Sequence, residues 1–157
     1  MRTTVPGTLH WLDSEDGTLA FELMKSGRWV NAFNQYVKEE LVSWAEARQC
    51  QRKALDLLNA TWEGVQNALK HGIGDEDRAS VRCRCLTPVT LEVTIAQEND
   101  WPGWKTALAP SRCLDPDRID DGYGTYVILK LSSEVHFLHE HKSLRMRFFC
   151  AQQDEVE

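Results

Sequence analysis

The chain has no apolar run approaching the ~18 residues that a membrane-spanning helix needs, and its N-terminus, MRTTVPGTLHW, lacks the apolar core of a secretory signal. Both absences predict a soluble, cytoplasmic protein. Runs of Lys or Arg are missing as well, and the formal net charge is −6. A field of that sign disfavours nucleic acid and anionic membrane as partners and leaves proteins and small molecules. The five cysteines (Cys50, Cys83, Cys85, Cys113, Cys150) are odd in number and none fall at C-x-x-C spacing. That set predicts neither a disulfide framework nor a structural zinc site. Internal repeats and low-complexity segments are also absent, which excludes solenoids and arrays.

What is present suits a single domain. The 157 residues are 42% hydrophobic and include six tryptophans, enough for a full core. Residues 8–12 and 18–24 alternate around a turn-like DSEDG, which predicts an N-terminal hairpin with Leu19, Phe21 and Leu23 on one face. Over residues 28–49, Trp29, Phe33, Tyr36, Val37, Leu41 and Trp44 keep helical spacing. A second helix is predicted over residues 51–71, stopped by Gly72 and Gly74. Residues 79–86 and 90–98 alternate around Thr87-Pro88 as two antiparallel strands, with Val81, Cys83 and Cys85 facing the core.

Residues 99–121 hold no sustained period, and so long a loop predicts a functional role. Its acidic end, Asp115, Asp117, Asp120 and Asp121, lacks calcium-loop order and is read as an acidic lid. Residues 125–132 form a short buried segment, helix or strand by their own pattern. Residues 134–138 and 143–150 then make a terminal hairpin, with Leu144, Met146 and Phe148 inward and Arg145 and Arg147 toward water. His136, His139 and His141 fit its solvated turn. The fold class is therefore α/β (α+β): a two-layer sandwich, a mixed and mostly antiparallel sheet covered on one face by about three helices.

The second helix carries two faces. Leu55, Leu58, Trp62, Val65 and Leu69 line one, while Asn59, Glu63, Asn67 and His71 recur every four residues on another. Glu63, Asn67-Ala68 and His71-Gly72 reproduce E-x-x-x-N-A-x-x-H-G. This resembles the N-box of the ATP-binding domains shared by gyrase, histidine kinases and the anti-sigma-factor serine kinases, the GHKL group. The order of elements over residues 18–149 is similar to the whole small serine-kinase domain. The resemblance implies that Glu63 is the general base for a substrate hydroxyl and that Asn67 holds Mg²⁺ bridging the phosphates, roles that a carboxylate and a neutral oxygen suit. It also makes residues 125–132 a helix and places His71 in the nucleotide site.

Gly122-Tyr123-Gly124 resembles the family's second glycine motif, where the backbone approaches phosphate oxygens closely. The first motif, D-x-G-x-G, departs from the pattern. Gly103 and Trp104 align, but Asn99 stands where the family has an adenine-binding aspartate, and Trp101 replaces a glycine. Asn accepts a hydrogen bond from the adenine amine more weakly than a carboxylate does.

The resemblance implies a regulatory protein that binds ATP and Mg²⁺ and phosphorylates a serine or threonine of a small antagonist protein, with a homodimer as the family's assembly. A rival is a degenerate, non-catalytic domain of the same fold that sequesters a sigma factor or other regulator. A third is an unrelated α/β domain in which the motif is accidental.

Overall fold

The computed structural model describes residues 2–12, 17–25, 27–70, 78–97, 126–138 and 143–150. The period-two pattern near the N-terminus produces β1 (Leu9–Trp11) and β2 (Leu19–Met24), paired antiparallel with Leu9 opposite Leu23 and Trp11 opposite Phe21. Gly17 enters β2 with φ 84°, a left-handed conformation that glycine adopts without a Cβ clash. Its carbonyl accepts hydrogen bonds from Trp44 Nε1 (2.9 Å) and Arg48 Nε (3.1 Å), tying the hairpin to the helical layer.

The long helical pattern becomes α1 (Trp29–Ala32), a π-helical segment (Phe33–Val37) and α2 (Lys38–Ala47), which bury Phe33, Val37, Leu41 and Trp44. Gln49 (φ 61°) reverses the chain in the left-handed region, and α3 (Gln51–Lys70) follows. Its buried stripe is Ala54, Leu57, Leu58, Ala60, Thr61, Val65, Ala68 and Leu69. Leu55, expected on that face, is 63% exposed. At about 100° per residue it lies roughly 110° from the centre of the stripe, whereas Leu57 falls within it. Trp62 sits at the margin and packs on Trp29 and Phe33 with ring centroids 5.2 and 5.0 Å away.

β3 (Arg78–Thr87) and β4 (Thr90–Gln97) pair around the Thr87-Pro88 turn. Cys83 is buried as expected, but Cys85 is exposed, where the register slips between Cys85 and Thr87. Residues 126–131 form α4, with Ile128 in the core, so the segment left open between helix and strand is a helix. β5 (Glu134–Leu138) and β6 (Ser143–Phe149) close the fold as the predicted hairpin. The sheet runs β1-β2-β3-β4-β6-β5, antiparallel at every described pairing. β6 is thus inserted between β4 and β5. α3 packs on β3, β4 and β6, with α2 against it, giving the two-layer sandwich. Among the described residues no helix is long and apolar enough to cross a membrane.

Two expectations are corrected. Cys50 and Cys150 form a disulfide across a sequence separation of 100, with Cα atoms 5.2 Å apart. Linear spacing gives no sign of a pair that only the fold brings together. Arg145 and Arg147, expected to face water, turn instead over Glu92, which is 1% exposed on the helix-free face of the sheet.

Candidate functional site

α3 determines the geometry of the site. Its first turn is fixed by the disulfide from Cys50 to Cys150, at the end of the sheet where Cys150 N donates to Val89 O. Further along, Gly64 lies against Ile95 and Leu144, toward the opposite end, where β3 begins, β4 ends and β6 starts. A Cβ on Gly64 would overlap Ile95 Cδ1. This glycine therefore offsets its cost in helix propensity, about 1 kcal/mol relative to Ala, by letting the helix axis sit close to β4. In the sequence an isolated glycine within a helical pattern shows only as a weakened helix former, and its contact with Ile95 becomes visible in the fold.

Glu63 and Asn67 flank this contact on the side of α3 turned away from the buried stripe. They are one turn apart, a spacing that puts their Cβ atoms about 5–6 Å from each other. Both are half-buried, and neither side chain has a hydrogen-bond or ion-pair partner among the described residues. Burial pushes the Glu63 carboxyl above the ordinary carboxylate range, because removal from water disfavours its charged form. A carboxylate so placed is a stronger base than one in free solution. The neighbouring amide supplies a neutral oxygen, the ligand type that a hard cation such as Mg²⁺ accepts. The donor chemistry of this pair fits a Mg²⁺-nucleotide at one side and a hydroxyl substrate at the other. Asn59, one turn earlier, is exposed.

The other predicted site residues, His71, Asn99, Gly103, Gly122 and Gly124, lie outside the described residues, as do Trp101 and Trp104. So does the loop over residues 99–121 to which the sequence assigns a functional role. The described structure therefore brings together Glu63 and Asn67 and leaves the glycine motifs to the sequence.

A second polar cluster, unrecognised in the sequence, occupies the opposite face of the sheet. Glu92 accepts hydrogen bonds from Arg84 Nε (2.8 Å) and Arg147 Nε (3.0 Å), and Arg145 Nε stands 3.8 Å away. Burial alone would raise the Glu92 carboxyl, but the hydrogen bonds and charges of Arg84 and Arg147 hold it below its ordinary value. In the sequence Glu92 falls on the polar phase of β4. Its burial arises from arginines on neighbouring strands, which no local pattern shows.

Residues 30–148 match the family model of the histidine kinase-like ATPase domain. No curated protein matches the chain. The match covers the helical layer from Val30 onward and all the strands from β3 to β6 but for the last residue, and it includes the helix bearing Glu63 and Asn67. On this match, the antiparallel sheet with its helices on one face and the Glu63–Asn67 pair on α3, the chain belongs to the histidine kinase-like ATPase domain family and carries that family's ATP-binding fold.

Proposed function

We propose that the chain is a regulatory protein kinase of the anti-sigma-factor serine/threonine type, acting on a small antagonist protein. The observation that carries this reading is the half-buried Glu63, without a partner among the described residues and one helical turn from Asn67, with burial raising the basicity of the carboxylate. Bound ATP would supply the transferable γ-phosphoryl group and leave as ADP, and Mg²⁺ would offset the phosphate charge. The Asn67 side-chain oxygen would hold that metal ion. Glu63 takes the proton from the serine or threonine hydroxyl as that oxygen bonds to the γ-phosphorus and the bond from phosphorus to the departing ADP oxygen breaks. His71, Asn99, Gly103, Gly122 and Gly124 complete the nucleotide site on the motif reading, and a homodimer is the proposed assembly.

A second reading has a specific basis in the sequence: Asn99 and Trp101 stand where the first glycine motif has an aspartate and a glycine. On this reading the domain sequesters a sigma factor or other regulator without turnover. Isothermal titration with ATP and Mg²⁺ separates the two. The kinase reading expects saturable binding that Asn67→Ala weakens about tenfold or more and that Glu63→Gln leaves nearly unchanged. Absence of binding by the wild type would favour the sequestering module.

A further inference from the structure

The sheet face opposite the helices carries a charge pattern that the nucleotide reading does not use. Alternation along β3, β4 and β6 puts Arg82, Arg84, Thr94 and Arg145 on this face with Glu92, and the register sets Arg82 beside Thr94 and Thr94 beside Arg145. Toward one edge of the sheet, Arg78 is neutralised by Glu22 at 3.6 Å; toward the other, Glu134 stands 3.5 Å from Arg147. The centre is not balanced. Arg84, Arg145 and Arg147 all draw on the single Glu92 carboxylate, and Arg145 Nε remains buried without a hydrogen bond. Arg82 is exposed and makes no ion pair among the described residues, and the Arg84 side chain is 55% exposed. A concavity of about 260 Å³ lies between these groups, lined by Leu12, Ser80, Arg82, Arg84, Glu92 and Thr94.

This excess of positive charge sits on a chain whose formal net charge is −6. An arginine-rich patch in an otherwise negative molecule draws an oppositely charged surface to one place and orients it there. Guanidinium groups bind carboxylates in a bidentate manner, and the Thr94 hydroxyl adds a shorter-range donor, whereas Ser80 Oγ already donates to Glu22 at 3.3 Å. From β3 to β5 the face measures about 14 Å at the usual strand spacing, a distance that four or five extended residues cross.

We infer that the helix-free face of the sheet, centred on Arg82 and Arg84, is a docking surface for an acidic segment of a partner protein. Docking there leaves the Glu63–Asn67 side of α3 open, so both surfaces can be occupied at once. The test is fluorescence anisotropy of the full chain with a fluorescein-labelled Asp/Glu-rich peptide, beside a peptide in which Asn and Gln replace the acidic residues. The acidic peptide is expected to bind saturably and to weaken as salt rises, and Arg82→Glu is expected to lower its affinity about tenfold. Arg84→Gln, which leaves Glu92 paired with Arg147, is expected to lower it by a smaller factor. Thermal unfolding of both variants verifies that they remain folded. Equal binding of the neutral peptide, or an unchanged affinity in Arg82→Glu, would overturn the inference. So would self-association in sedimentation that Arg82→Glu abolishes while the acidic peptide does not bind, since the occupant would then be a second copy of the chain.

Discussion

At the scale of single residues, the account turns on a carboxylate whose placement costs stability. Burial raises the Glu63 pKa, so the folded state disfavours its ionised form relative to the unfolded chain. Below the unfolded pKa both states hold the proton and the penalty is absent; as pH rises through the folded value it reaches its full size. Glu63→Gln keeps the shape and removes the charge. It is expected to be more stable than wild type in urea unfolding at pH 7, with the difference disappearing below about pH 4. A variant less stable than wild type at pH 7 would mean that the ionised carboxylate has a stabilising partner. Glu92 works in the opposite sense, since Arg84 and Arg147 keep it ionised and its contribution is lost as acid protonates it. Cys83 is a third case: burial pushes its thiol up to about 12, with Arg48 opposing, so it stays protonated while the exposed Cys85 is open to reagents.

Among the elements, α3 is the one whose packing bears on the site. Gly64→Ala gains helix propensity but drives a methyl group into Ile95, which is 1% exposed and has little room to move. Overpacking of this kind costs about 1–3 kcal/mol, and a net loss of up to about 2 kcal/mol in urea unfolding is expected after the propensity gain of ~1 kcal/mol. Stabilisation by Gly64→Ala would show that helix and sheet are not in close contact there. The same helix shows how far sequence carries. Its existence and the Glu63–Asn67 pairing were legible because a period of 3.6 is a local property. The phase is less so: Leu55 shares the three- and four-residue steps that run through Leu58, but the core takes Leu57 instead. Both hairpins and the β3–β4 pair were legible from alternation, with bounds shifted by a residue or so. The Cys50–Cys150 bond, the Ile95–Gly64 contact and the arginines over Glu92 were not, because each joins residues far apart in the chain. His71 and the two glycine motifs, legible as motifs, lie outside the described residues.

For the molecule as a whole, the sheet divides two surfaces of different character, with α3 and its carboxylate above and the arginine patch below. The disulfide joins the start of α3 to the end of β6 and so links the helical layer to the sheet across 100 residues of chain. A crosslink of that span restricts the unfolded ensemble, and Cys150→Ser is expected to lower stability by about 2–4 kcal/mol. Reductant should bring wild type to the variant's urea midpoint; equal midpoints without reductant would show that the bond contributes nothing to folding. The central claim, that this ATPase-family domain transfers phosphate with Glu63 as base, is tested most directly by phosphoryl transfer. The measurement follows label from γ-labelled ATP to a partner protein co-purified with the full chain, using wild type and Glu63→Gln side by side. The account predicts label on a serine or threonine of the partner with wild type and a rate lower by roughly 10²–10⁴-fold with Glu63→Gln. Transfer at the wild-type rate by Glu63→Gln, or no label with either protein, would contradict it.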